Sequence, residues 1–531
     1  MAGDIRILVT DPLAEEGINL LQAENHVKVD VRTKIPPEEL KGIIGEYDGL
    51  VVRSGTQVTK DILASAKKLK VIGRAGAGLD NIDVETASKQ GVIVMNAAGG
   101  NTISTAEHTM SLILSLARNI PQACASLKGG RWDRSKFMGV ELYGKYLGII
   151  GMGKVGSEVA KRAHGFGMRL LVHDPYLSVE KMRELDAQPA ADLTEIYRKA
   201  DYITLHTPLT AETKSLIGAK EIGMMKKGVR LINCARGGII NEKDLIEGIK
   251  SGKVAGAALD VFENEPEPDK ELVGLPQVIV TPHLGASTEE AQINVSREIA
   301  ISVRDYLLGK GIRNAVNVPC VDAEVLKSIE PYLTLIERLG TMHAQMAEGH
   351  VKTVRIRYVG EMTRIDLAPL TIAFIKGLLT PALQESVNYV NAAMIAKERG
   401  IKVIESKATE AEDFANLIVT SVESDKATNE VRGTLFTRTD PRIVRINDFH
   451  VEAAPSGPML LIRNQDRPGM IGQIGTTLGS KGINIGRMTF GRKSQGGEAL
   501  LVVNVDQPLS QDLLGQISRL PDVLEVRLLK L

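Results

Sequence analysis

Cysteine is nearly absent from this chain: there are three in 531 residues, Cys124, Cys234 and Cys320, widely spaced. So sparse and odd a set excludes a disulfide framework, and no pair has the close spacing of a zinc ribbon, so no metal site is expected. Neither sign of charge is in excess, since Lys plus Arg and Asp plus Glu number 65 each and the formal net charge is zero. A nucleic-acid binder draws much of its affinity from surplus cations facing phosphates, which disfavours that class. Long apolar runs are missing too: none approaches the ~18 to 20 residues that a bilayer-spanning helix needs. The opening MAGDIRILVTD has neither the layout of a secretory leader nor the Arg- and Ser-rich character of a transit peptide. With 43% hydrophobic and 24% charged residues, the composition is that of a globular protein, expected in the cytoplasm with reduced thiols. At ~150 residues per domain, the length predicts three to four domains.

What is present is alternation. RILVT, VKVDV, GLVVR, KVIGRA and VIVMNA are short strand-like runs separated by helix-length segments. Such alternation builds a parallel sheet covered on both faces. A long helix is predicted over STAEHTMSLILSLARNI, after which YLGIIG, RLLVHD, YITLHT, VRLINCA, AGAALDV and VIVTPH form a second set of the same kind. The fold class is therefore α/β, with two doubly wound parallel sheets. Another long helix, STEEAQINVSREIAISVRDYLLGK, leads to a Gly- and Pro-punctuated connector. From about Val321 to Ala453 helices and strands mix as an α+β unit, and APSGP marks a second linker. The remainder reads β-α-β-β-α-β, a ferredoxin-like unit.

The strongest motif is Gly151-Met-Gly153-Lys-Val-Gly156. Alone it is weak, but here it follows an apolar strand, opens a helix and precedes a second strand ending in Asp174. Strand, glycine turn, helix, strand and terminal acid make a dinucleotide fingerprint. The helix N-terminus offers free N–H groups to a diphosphate. Asp174 suits a ribose 2′-hydroxyl and repels a 2′-phosphate, which favours NAD over NADP.

Three residues fall where strands of the second sheet should end: Arg236 in NCARGG, Glu265 in FENEPEP and His283 in VTPHLGAS. Each has a bland reading, as a helix cap, a solvated charge and a turn histidine. Together at one sheet edge they match hydride transfer at a hydroxy-acid carbon. Histidine takes the hydroxyl proton, the acid orients it, and the arginine fork grips a carboxylate. Arg53 with Ser54, and Arg74, close two first-sheet strands and suit a dianion; Arg134 and Lys136 are further cations predicted near the same end.

GMGKVG, VHDP, LHTPLT, NCARGGIINE, GAALDVFENEPEP and TPHLGAST together resemble the D-isomer-specific 2-hydroxyacid dehydrogenases. Within them the chain is most similar to the long-form phosphoglycerate dehydrogenases. The resemblance implies a Rossmann-type cofactor domain (99–286) inserted in a flavodoxin-like substrate domain (1–98 plus 287–318), then an intervening domain (319–455) and an ACT regulatory domain (456–531). It implies Arg236, Glu265 and His283 as the catalytic set. Cofactor contacts are implied for Gly151, Gly153, Lys154, Val155, Gly156, Asp174, Thr207, Cys234, Ala235, Arg236, Asp260, His283 and Gly285. Substrate contacts fall to Arg53, Ser54, Arg74 and Arg134. In the ACT-like signature IRNQDRPGMIGQIGTTLGSKGINI, Asn464, Asp466 and Asn484 are the implied holders of an L-serine effector. The expected activity is NAD-dependent oxidation of 3-phosphoglycerate, first step of serine synthesis, in an assembly of at least two copies with a tetramer expected. Another 2-hydroxy acid such as glycerate or 2-hydroxyglutarate, or an NAD-sensing corepressor, stays open. The resemblance also gives the intervening domain a capacity for anions, for which Arg438, Arg442 and Arg445 are candidates, although a solvated basic face is the plainer reading.

Overall fold

Short runs of branched aliphatic residues build the first sheet of the computed structural model, which describes residues 4–320, 323–383, 387–410 and 413–531. Its strands β1 (Ile5–Val9), β2 (Val27–Val31), β3 (Gly49–Val52), β4 (Val71–Arg74) and β5 (Ile93–Asn96) are all parallel, in the order β2-β1-β3-β4-β5. That is the flavodoxin-like order. Ile7, Leu8, Val9, Leu50, Val51 and Ile72 are wholly buried, because helices cover both faces and no polar face is needed.

The second sheet holds β6 (Tyr146–Ile150), β7 (Arg169–His173), β8 (Gln188–Pro189), β9 (Tyr202–Leu205), β10 (Val229–Asn233), β11 (Val254–Leu259) and β12 (Val278–Val280). They run parallel in the order β12-β11-β10-β9-β6-β7-β8. The chain direction across the sheet reverses between β6 and β9, which creates the crevice where such sheets bind ligands.

Two helices cross between these units. The first, Thr102–Arg118, buries Ala106, Met110, Ile113 and Ala117 on one stripe. The sequence pattern predicts that it continues to Ile120. Instead Asn119 turns left-handed, at φ 53°, and a separate helix Ile120–Lys128 begins with Pro121 in its first turn, where its missing N–H costs nothing. The second crossover, Glu289–Leu307, is capped by Thr288, whose hydroxyl accepts from the Ala291 N–H. Its Val295, Ile299, Ala300 and Val303 return to the first sheet's core with Ile7, Val9, Val51 and Val71. The chain then seals the sheet edge, as the Asn96 N–H donates to the Asn314 carbonyl and the Val94 N–H to Asn317 Oδ1.

Helices Ala323–Met346 and Ala368–Leu383 pack on a six-stranded sheet. Its strands are β13 (Val351–Gly360), β14 (Lys402–Ala408), β15 (Asn416–Ser424), β16 (Thr428–Leu435), β17 (Pro441–Ile446) and β18 (Phe449–Ala453), ordered β14-β13-β15-β16-β17-β18. The last sheet, β19 (Pro458–Gln465), β20 (Ile485–Arg492), β21 (Glu498–Val505) and β22 (Val523–Lys530), is antiparallel in the order β20-β21-β19-β22, with helices Met470–Gly479 and Gln511–Ser518 between strands. Leu460, Ile462, Leu501 and Val503 face those helices. The alternate residues Met459, Leu461, Leu500 and Val502 join Leu339, Tyr358, Phe374 and Val451 in a single core. The APSGP segment therefore interrupts the chain's regular structure but not its packing.

Candidate active site

Arg236, Glu265 and His283 follow β10, β11 and β12, so the parallel sheet delivers all three to one edge. His283 adopts φ 55°, and its N–H donates to the carbonyls of Asp260 and Thr281. Its Nδ1 lies 2.8 Å from Glu265 Oε2, and the other Glu265 oxygen accepts from the Phe262 N–H at 3.0 Å. The bond to Glu265 raises the imidazole above its ordinary value, against burial and the nearby Arg236 charge. Burial pushes the Glu265 carboxyl upward, but the bonds from His283 and the Phe262 N–H outweigh it and hold it below the usual range. Beneath them Asp260 is buried, and its carboxylate accepts from Thr281 Oγ1 (2.6 Å), Leu284 N–H (2.7 Å) and Gly285 N–H (2.8 Å). It thereby shapes the loop that carries His283.

Arg236 reaches out of its own unit. Its Nε lies 3.2 Å from Asp80 Oδ2, on the loop after β4, while its Nη1 donates to the Ala235 carbonyl at 2.7 Å. The same loop follows Arg74, whose guanidinium is lowered first by burial and then by the charges of Arg236 and Arg53. Arg53 is lowered by burial and steadied by Asp11. The Nε atoms of Arg53 and Arg74 are both buried without a partner among the described residues. Three guanidiniums that repel one another, two with orphaned donors, make a site for a multiply charged anion. Ser54 is exposed beside Arg53.

Sequence reasoning missed what holds this set. Asp11 Oδ2 accepts from the N–H groups of Arg53 (2.6 Å) and Thr56 (3.1 Å). Asn81 donates at 2.6 Å to the carbonyls of both residues. His108, on the first crossover helix, places Nε2 3.1 Å from Thr281 Oγ1 and 3.3 Å from Asp260 Oδ1. Asp11, Asn81 and Asp80 lie on the loops after β1 and β4, at the sheet edge that Arg53 and Arg74 already mark, but nothing local in the sequence pairs them with those arginines.

The glycine turn stands where the fingerprint puts it. Gly151 has φ 90°, and a Cβ on Gly156 would come 2.2 Å from the Gly151 carbonyl oxygen, so helix Lys154–Gly165 approaches only because that side chain is absent. Gly153 and Lys154 are exposed at its N-terminus, and Val155 packs against the core. Asp174 Oδ2 accepts from the Met152 N–H (2.7 Å) and Oδ1 from the Tyr176 N–H (2.8 Å), which fixes the carboxylate beside the turn. Thr207 Oγ1 is buried and without a partner among the described residues. Cys234 is buried, which pushes its thiol up to about 12 and keeps it neutral. Ala235 N–H bonds Asn233 Oδ1, shaping the turn into Arg236. An open helix N-terminus, a fixed acid and an orphaned hydroxyl fit a dinucleotide.

Other expected residues are placed differently. Arg134 is exposed on the turn Arg134–Phe137, and among the described residues no hydrogen bond or ion pair joins it to Arg53 or Arg74; Lys136 pairs with Asp133. Asn464 lies within β19, wholly buried, its amide donating to the Gln465 carbonyl. Asp466 binds Arg492 and the Gly496 N–H, whereas Asn484 binds Asp506. These pairs occupy opposite ends of β20, which at ~3.3 Å per residue are over 20 Å apart. Arg442 is not solvated, being tied to Asp440 and the Pro441 carbonyl, and Arg445 donates to the Asn447 carbonyl.

Comparisons with known proteins give the family. The NAD binding domain of the D-isomer specific 2-hydroxyacid dehydrogenases matches residues 110–285, the D-3-phosphoglycerate dehydrogenase intervening domain 328–447, and the ACT domain 459–522. A D-3-phosphoglycerate dehydrogenase of Methanocaldococcus jannaschii is 45% identical, over 99% of this chain and all of that protein. Its counterpart from Bacillus subtilis is 42% identical, over 99% of both chains. Among solved structures, a glyoxylate reductase from Paecilomyes thermophila superimposes with a TM-score of 0.56 at 28% identity, over 60% of this chain and 99% of its own.

Proposed function

The chain belongs to the D-3-phosphoglycerate dehydrogenases, and from that premise we propose that it oxidises 3-phospho-D-glycerate to 3-phosphohydroxypyruvate with NAD, the first step of L-serine biosynthesis. The observation that carries the reading is the meeting of three guanidiniums, Arg53, Arg74 and Arg236, beside the His283–Glu265 pair. A phosphate dianion engages the orphaned donors of both Arg53 and Arg74, where glycerate offers only a neutral hydroxyl and 2-hydroxyglutarate a single further carboxylate, so these acids and the corepressor reading are not favoured. Arg53 and Arg74, with Ser54 at their margin, take the phosphate, and Arg236 takes the carboxylate. Arg134 belongs to the substrate set only through a movement of its turn. Residues 1–98 with 287–318 are assigned to substrate, 99–286 to the dinucleotide, 319–455 to the intervening domain and 456–531 to the ACT domain, an assignment supported by the sheets and crossover helices.

Bound NAD supplies the hydride acceptor. The residues fitted to hold it are the Gly151–Gly156 turn, Asp174, Thr207, the Cys234–Arg236 turn, Asp260 and the His283–Gly285 loop. The Glu265 carboxylate occupies His283 Nδ1 and leaves Nε2 free for the substrate hydroxyl. As the C2–H bond breaks with its electron pair, the hydroxyl proton passes to Nε2 and the carbon–oxygen double bond forms. Glu265 stabilises the imidazolium that results, and Arg236 holds the carboxylate and polarises the reacting oxygen.

The assay is NADH formation with 3-phospho-D-glycerate beside D-glycerate, D-lactate and 2-hydroxyglutarate. Saturable turnover is expected with the phosphorylated acid alone at low concentration; equal rates with glycerate overturn the reading. Asp174→Ser is expected to raise KM for NAD by about tenfold or more and to shift the ratio of kcat/KM toward NADP, because a charged hydrogen-bond acceptor is lost. A damaged turn would harm both cofactors alike, so the ratio is the informative number.

The ACT domain is an effector module, and we take L-serine as its ligand, held by Asp466 and Asn484 of different copies with Asn464 beneath. Their separation along β20 supports an assembly of at least a dimer, and a tetramer is expected. Titrating L-serine into the same assay lowers the rate if this is right. A cytoplasmic location belongs to the same reading, since Cys124 and Cys320 are exposed free thiols. Among the described residues no helix is long and apolar enough to cross a membrane.

A further inference from the structure

We infer that Asp80 is a positioning residue that fixes the guanidinium of Arg236 for the substrate carboxylate, reaching it from the opposite side of the cleft. The inference rests on the assignment of Arg236 to the substrate and adds what orients it.

An arginine is a useful fork only when its plane is set beforehand, since its long side chain loses rotamer freedom on binding. Two of the three guanidinium nitrogens of Arg236 are already engaged. Nη1 donates to the Ala235 carbonyl within its own unit, and Nε faces Asp80 Oδ2 at 3.2 Å from the other unit. Nη2 remains, and it lies against Gly78: a Cβ there would come 2.2 Å from Nη2 and 2.9 Å from Asp80 Oδ2. A larger residue there would have to push the Arg236 guanidinium or the Asp80 carboxylate aside.

Asp80 is positioned through its neighbour in the chain. Its neighbour Asn81 is buried and donates to the Arg53 and Thr56 carbonyls, while the Asn81 carbonyl accepts from the Val58 N–H. The loop that presents Asp80 is thus the loop that braces Arg53. Asp80 also acts on Arg74, whose charge it favours. One carboxylate therefore pairs with Arg236 and also favours the charge of Arg74.

Two effects oppose each other when Asp80 is removed. Coulomb attraction alone predicts tighter binding, because an anion beside a trianionic substrate disappears; for a side chain 73% exposed that gain is small. Loss of the anchor predicts weaker binding. The sign of the change therefore decides.

The experiment compares the full-length enzyme with Asp80→Ala, Asp80→Asn, Arg236→Ala and the Asp80→Ala/Arg236→Ala double variant. Asp80→Ala is expected to raise KM for 3-phospho-D-glycerate about three- to fivefold, the scale of an exposed ion pair, with kcat within about twofold and KM for NAD unchanged. Asp80→Asn removes the charge of the pair at nearly equal size and is expected to raise KM in the same direction, by about twofold. The double variant is expected to match Arg236→Ala. A KM that falls or holds in Asp80→Ala, while Arg236→Ala raises it, overturns the positioning role alone. An Arg236→Ala enzyme with unaltered KM and kcat overturns the substrate assignment as well.

Discussion

Replacing His283 with alanine is expected to lower kcat by a factor of about 10² to 10⁴ while leaving the affinity for NADH within about twofold, as read by fluorescence titration. The size follows from the role. His283 is the group placed to take the hydroxyl proton as the carbon–oxygen double bond forms. Its ring is half exposed, so the variant loses little packing. Turnover near that of the parent would end the assignment.

The pH dependence gives a second view of the same pair. Oxidation needs a neutral imidazole, so the rate falls as pH drops through the His283 pKa. The Glu265 hydrogen bond, the largest influence, raises that pKa, which moves the acid limb of the oxidation profile to higher pH than a free imidazole would give. Glu265→Gln removes the charge, so the limb is expected to move to lower pH, with a smaller plateau because the imidazolium is less stabilised. A limb that stays put separates the titration from His283.

Arg74→Ala is expected to cut kcat/KM for 3-phospho-D-glycerate by about 10- to 100-fold, the scale of a lost charge-assisted hydrogen bond. The poor activity on unphosphorylated D-glycerate should barely change, so the ratio of the two substrates is the quantity to measure. Arg74 is lowered by burial first and also by two like charges, so the site carries repulsion that an anion relieves. A variant that loses activity on both substrates equally would make Arg74 a structural residue. Arg53→Ala should behave in the same direction, although Arg53 also bonds the Pro12 carbonyl and has the nearby Asp11 to steady it.

Much of this site is legible because parallel sheets put strand ends at one edge. Once NCARGG, FENEPEP and VTPHLGAS are recognised as strand exits, Arg236, Glu265 and His283 must be neighbours, whatever their separation in the chain. The glycine turn and Asp174 are legible for the same reason. What was hidden depends on partners from distant segments: Asp11 lies 42 residues before Arg53, and no local pattern ties a loop aspartate to a loop backbone that far away. The first crossover helix was read too long because its apolar spacing runs on past Arg118; the left-handed Asn119 ends it regardless. The resemblance implies Asn464 as an effector contact, but β19 extends to Gln465 and buries it. Arg134 stands exposed on its turn, because charge alone does not say which way a turn faces.

The two central strands of the terminal sheet, β19 and β21, are covered on both sides. Their continuous apolar runs, MLLI in β19 and ALLVV in β21, are what a strand needs when both of its surfaces are covered. One surface is roofed by the sheet's own helices and the other is fused to the unit before it through Met459, Leu461, Leu500 and Val502. The tail is consequently no detachable sensor. Severed at Gly457, or transplanted onto an unrelated enzyme, it would present a greasy plate to water. Whatever its ligand does must be felt first by the neighbour soldered to its back.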